Sequence, residues 1–155
     1  MGFEIMENIT KLEKNFNYKV FMKRLSDSLY LGYYIESITL EYAIMEDRLM
    51  SVLKHSNNFS ESNHNTLHKK IIALKAMNKK ENSISKEYIS NDILDLINAW
   101  KIKRNKMVHN LMNNQFDFEE IKEMAIIGQE IVKVLNNKTT CLNRKFDKIY
   151  NLNAA

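Results

Sequence analysis

The sequence predicts an all-α fold, a single antiparallel bundle of about five to six helices. Two observations predict it, and a third removes the folds held together by cysteines. Proline is absent and glycine occurs only three times, so a β-rich domain of 155 residues would lack its turn residues. Apolar residues recur at three- and four-residue steps along most of the chain, the period of a helix buried on one face. The one cysteine, Cys141, excludes an intramolecular disulfide framework and a four-cysteine zinc site.

Residues 1–15 carry Glu4, Glu7 and Glu13 and lack the apolar run of a secretory signal. Gly2 is not followed by the Ser or Thr that myristoylation wants, since position 6 is Met6. No stretch reaches the roughly 18 apolar residues of a membrane span. A cytoplasmic protein with no membrane partner is therefore expected.

Residues 18–56 read as helix. Val20, Phe21, Leu25 and Leu29 form a first stretch, with a break expected at Asp27 and Ser28 or at Gly32. Leu31, Ile35, Ile38, Tyr42, Met45, Leu49 and Val52 then form one continuous stripe, on a rod of roughly 30 Å that suits the spine of a bundle. Residues 57–65 are polar and turn-like. A shorter helix follows with Leu67, Ile71, Leu74 and Met77 on one side, and residues 78–86 read as a second polar loop.

Ser90 is the expected N-cap of the next helix, with Asp92 in its first turn. Its stripe is Ile93, Leu96, Ile97, Trp100, Met107, Val108 and Leu111, ending near Asn113 and Asn114. Asp117 opens another helix, with Glu120 as a capping-box-like partner. Ile121, Met124, Ile127 or Gly128, Ile131 and Leu135 follow, and an end is expected at Asn136 and Asn137. A last amphipathic piece carries Leu142, Phe146, Ile149 and Tyr150, capped by Thr139 or Thr140. With no linker, repeat or sustained heptad, the expectation is one domain over 1–155, its core about 18–137 and a C-terminal helix about 140–151.

Composition also bounds function. Three scattered glycines exclude the Gly-rich loops of P-loop and Rossmann nucleotide sites. Lys and Arg number 23 against 19 Asp and Glu, a net charge of +4 that permits a nucleic-acid partner without demanding one.

The informative segment is Trp100-Lys101-Ile102-Lys103-Arg104-Asn105-Lys106-Met107-Val108-His109-Asn110. Ile93, Ile97 and Trp100 project to the core, and the next position on their stripe is Arg104. A guanidinium there must be paired, or must open onto a cleft or a partner surface. Glu41, Glu46 and Asp47 are the candidate ion-pair partners. His109 lies five residues on, about 140° around a straight helix, so the two side chains diverge. They converge if the helix bends or if a second subunit supplies one of them. The structural readings are a buried ion pair for Arg104 and a dipole-favoured helix C-terminal position for His109.

Arg104-Asn105-Lys106-Met107-Val108-His109 resembles the R-x4–6-H motif of the HEPN superfamily, in which a polar residue, often Asn, frequently follows the Arg. The resemblance covers about residues 18–137 and is to the bacterial HEPN ribonucleases of toxin–antitoxin, abortive-infection and CRISPR effector systems. It implies a small helical bundle with the motif late in the domain. It also implies metal-independent RNA cleavage by Arg104, Asn105 and His109, with no metal and no cofactor. The chemistry suits these residue types. A ribose 2′-OH attacks phosphorus, and histidine can act as base or acid near neutral pH. Arg presents a charged planar fork to the phosphorane oxygens. Asn105 would orient the histidine or donate to phosphate. Because HEPN enzymes commonly dimerise with two motifs facing one cleft, a homodimer is implied, and an antitoxin or other regulatory protein is a possible partner. Members paired with nucleotidyltransferase antitoxins often continue R-x4-H-x-Y. Position 111 here is Leu111, so control by tyrosine modification is not expected.

Lys101, Lys103 and Lys106 flank the motif and would draw in an RNA backbone, or else line a solvated flank. Glu41, Glu46, Asp47 and Arg48 would support the site from an earlier helix, or form structural ion pairs. A second basic cluster, Lys69, Lys70, Lys75, Lys79 and Lys80, reads as solvated surface. His64 and His68, with Glu61 and His55, have the spacing of metal ligands but sit in a loop-like segment and read as exposed polar residues. Tyr30, Tyr33, Tyr34 and Tyr42 could stack on bases, and read better as core or interface. Cys141 has no His or Asp close in sequence and is not expected to be catalytic. The expected function is thus a metal-independent endoribonuclease of toxin or phage-defence type. The alternative is a non-catalytic HEPN module that binds nucleotide or RNA or docks a partner. A plain helical-bundle interaction protein is the third reading.

Overall fold

Gly32 ends the first helix. Its φ of 78° lies where only glycine is at ease, and it closes α1 (Gly2–Leu31). The Gly32 N–H donates to the Leu29 carbonyl, and the Tyr33 N–H donates to that of Ser28 at 2.8 Å. Ser28 stays inside the helix, buried, its hydroxyl shared between the Leu25 carbonyl and the Ser37 hydroxyl. In this computed structural model residues 2–154 are described, with side chains over 17–151. The readings of Gly2 and Met6 concern side chains outside the described residues.

Five further helices follow: α2 (Tyr34–His55), α3 (Leu67–Asn78), α4 (Ser85–Tyr88), α5 (Asn91–Met112) and α6 (Phe118–Ala154). The fold is all-helical, with no strand among the described residues, as the sequence predicts. No helix among them is long and apolar enough to cross a membrane.

α2 is the spine and meets α1, α3, α5 and α6. Its buried stripe begins at Ile38 and runs through Met45, Leu49 and Val52, while Leu31 and Ile35 remain exposed. The expected cap at Ser90 is present, its hydroxyl accepting from the Ile93 N–H, and Thr66, which the pattern does not mark, caps α3 by accepting from the Lys69 N–H. α4 is a single turn that begins in what reads as a polar loop. Polar contacts hold it: Ser85 donates to the Asn78 side-chain oxygen at 2.6 Å, and the Asn78 amide donates to the Ile89 carbonyl. Apolar periodicity could not reveal such a turn.

The expected break at Asn136 and Asn137 does not occur. α6 is one helix of 37 residues, so Thr139 and Thr140 lie within it rather than capping a new one. The buried residues Ile121, Ala125, Gly128, Val132, Leu135, Thr139, Leu142 and Phe146 advance by alternating steps of four and three. Half of this seam is Ala, Gly, Val and Thr, which a search for large apolar residues passes over. The expected Met124 and Ile127 lie beside it. Asn136 accepts a hydrogen bond from Tyr18 of α1, and Asn143 donates to Ser51 of α2 at 2.9 Å. α2 and α6 run in the same direction, as Tyr34 against Phe118 at one end and His55 against Asp147 at the other show. The 3.5-residue spacing of the seam is what such side-by-side packing requires. The hairpins α1–α2 and α5–α6 are antiparallel, and α5 lies against α2, α3 and α6.

Candidate functional site

α5 is unbroken from Asn91 to Met112, so no bend brings Arg104 and His109 together within one chain. Arg104 points from the core stripe toward α2, where its guanidinium carbon sits 4.4 Å from the centre of the Tyr42 ring. None of Glu41, Glu46 and Asp47 is its ion-pair partner; the cation rests on an aromatic face instead. Its Nε is hidden from solvent and has no acceptor. Its Nη1 reaches sideways and donates to the Asn105 side-chain oxygen at 3.3 Å.

That contact carries the arginine around the helix. Asn105 and His109 are four residues apart, on one exposed face of α5. Arg104 thus touches a residue that shares its face with His109. Ile102 and Met112 stand on the same side of the helix and are also exposed, Met112 at 82%. The polar face is therefore bordered by apolar side chains.

Tyr42 is the residue that the sequence reading did not connect to this site, having grouped it with the other tyrosines. Burial raises the pKa of its phenol, Glu46 raises it further, and Arg104 pulls it back. An arginine on a core stripe, facing a helix that carries an aromatic residue, was the available signal.

The residues expected to support the site disperse. Glu46 pairs with the buried Lys70 at 3.0 Å, tying α2 to α3. Asp47 pairs with Arg48, and the Arg48 guanidinium lies over the Tyr18 ring. Glu41 turns to α6, fully buried against Gly128, with neither carboxyl oxygen hydrogen-bonded. Its carboxyl pKa is pushed up to about 9 by burial. The three lysines also separate. Lys101 is buried, its Nζ 3.2 Å from His68 Nδ1. Lys103 and Lys106 instead line a cleft of about 490 Å3 between α5 and the start of α6, together with Asp117, Glu120 and Glu123.

The other candidates have local roles. Lys75 pairs with Asp95. His64 accepts from the Ser60 N–H, and His55 bonds Asp147 at 2.6 Å. Tyr34 packs edge-on against Phe118, whereas Tyr30 and Tyr33 are exposed. Cys141 is exposed and unbridged. No family model, curated protein or solved structure matches the chain.

Proposed function

We propose that the protein is a HEPN-type, metal-independent endoribonuclease acting as a homodimer in a toxin or phage-defence setting. The observation that carries this reading is the Arg104–Asn105 contact, which draws the guanidinium toward the exposed face where His109 stands. Its Nε donates to no acceptor, so the guanidinium is held by the Tyr42 ring and Asn105 rather than locked into an ion pair.

In the proposed reaction His109 removes the proton of a ribose 2′-OH. The 2′-oxygen bonds to the adjacent phosphorus, and the bond from phosphorus to the 5′-oxygen breaks. A protonated His109, from the second copy, returns a proton to the leaving oxygen. Arg104 stabilises the charge that builds on the non-bridging oxygens. Asn105 holds the guanidinium through its side-chain oxygen and offers its amide nitrogen to the phosphate. Two copies of α5 meeting across a two-fold axis would cover Ile102 and Met112 and bring both motifs to one strand.

His109→Ala and Arg104→Ala test this. Each is expected to lower cleavage of mixed RNA at least about 100-fold, with little change in melting temperature for the exposed His109. Arg104→Lys keeps the charge but loses the fork, and is expected to rescue only weakly. Full activity of either alanine variant would sink the proposed site.

A further inference from the structure

The cleft between α5 and α6 plays no part in the proposed chemistry. Its floor is apolar, built from Trp100, Met107, Ile121 and Met124. Trp100 closes it from below, its indole N–H donating to the Met124 carbonyl at 3.0 Å. Leu96 and Phe116 stand exposed at its two ends. From Leu96 to Asn110 it follows α5 for about 21 Å, roughly four helical turns.

The walls carry opposite charges. Lys103 and Lys106 rise from α5, while Asp117, just before α6, and Glu120 and Glu123 in its first turns form the other wall. Each set repeats every three residues, so like charges stack along the groove about one turn apart. No ion pair crosses the cleft among the described residues, so both ladders stay available. Asp117 also caps α6 by accepting from the Glu119 N–H.

We propose that this cleft docks an amphipathic helix of a partner protein. That helix carries acidic residues along one flank of its apolar stripe and basic residues along the other. The charge pattern selects this occupant. A nucleic acid would meet three carboxylates on one wall. A small zwitterion would use one charge of each sign and leave the ladders unmatched. A second copy would present the same concavity and leave both floors uncovered. A helix supplies a convex apolar face with flanking charges at one-turn intervals, the logic by which flanking positions set partner choice in coiled coils.

The test uses the full chain and three synthetic helical peptides of about 15 residues with one leucine stripe. One has an acidic and a basic flank, one has two acidic flanks, and one has two basic flanks. Trp100 is the sole tryptophan, so its fluorescence reports occupancy of the groove. The mixed peptide is expected to bind at least tenfold more tightly than either uniform peptide, and to weaken with added salt. Lys103→Glu combined with Lys106→Glu makes both walls acidic and is expected to shift the preference to the doubly basic peptide. Equal binding of the three peptides, binding by none, or an unchanged preference in the double variant would overturn the proposal. So would displacement of the mixed peptide by single-stranded RNA, or self-association of the protein alone that the double variant abolishes. The readout involves no cleavage, so an inactive protein leaves this proposal intact.

Discussion

Glu41 is a carboxylic acid set where a charge cannot be solvated, and Tyr42 beside it holds a cation on its ring. Burial raises the folded pKa of Glu41 from 4.5 to about 9. Its contribution to stability is therefore fully present below about pH 4.5 and is lost as pH rises toward 9. At about 1.4 kcal/mol per pH unit, the loss by neutral pH is roughly 3 kcal/mol. Glu41→Gln, which cannot ionise, is expected to gain on the native protein as pH rises from 5 to 8. Melting curves at the two pH values measure this, and parallel pH profiles would contradict it. For Tyr42, Tyr42→Phe keeps the ring face and is expected to retain cleavage within about threefold, while Tyr42→Leu loses about tenfold in kcat. Equal rates for the two variants would remove Tyr42 from the site.

The α2–α6 seam depends on a glycine. A Cβ at position 128 would sit 2.6 Å from the Glu41 carboxyl carbon, so Gly128→Ala must displace a buried side chain. Alanine favours helix by up to about 1 kcal/mol, but the clash outweighs it and a net loss of about 2 kcal/mol is expected. In a Glu41→Ala background the same change is expected to be neutral or stabilising, and denaturant melts of the four proteins measure the coupling. This seam also marks how far the sequence can be read. Large apolar residues gave α2, α3 and α5, and Gly32, Thr66 and Ser90 act where turn and cap chemistry applies. The sequence marks Ser90 through Asp92 in the first turn that follows, and nothing comparable marks Thr66. The passage of α6 through Asn136 and Asn137 leaves no sequence signal, because a tertiary partner holds Asn136, Asn137 faces solvent, and the seam uses Ala, Gly and Thr. Arg104 was conspicuous on a core stripe. Its aromatic partner was not, because cation–π pairing between separate helices leaves no local pattern.

At the scale of the whole molecule, the proposed composite site needs two chains. Ile102 and Met112 border the His109 face and are exposed, and the proposed dimer covers them. Ile102→Glu places a charge in that interface. It is expected to shift the protein to monomer in light scattering and to cut cleavage by the same factor as the loss of dimer, with the fold unchanged by circular dichroism. A monomer that retains full activity would contradict the two-chain arrangement. The most direct measurement concerns the reaction itself. The purified protein is incubated with RNA in excess EDTA, and both ends of the products are mapped. Cleavage by Arg104 and His109 predicts undiminished turnover, 2′,3′-cyclic phosphate at one end and a 5′-hydroxyl at the other. Strict dependence on Mg²⁺, or products with a 3′-hydroxyl and a 5′-phosphate, would contradict it.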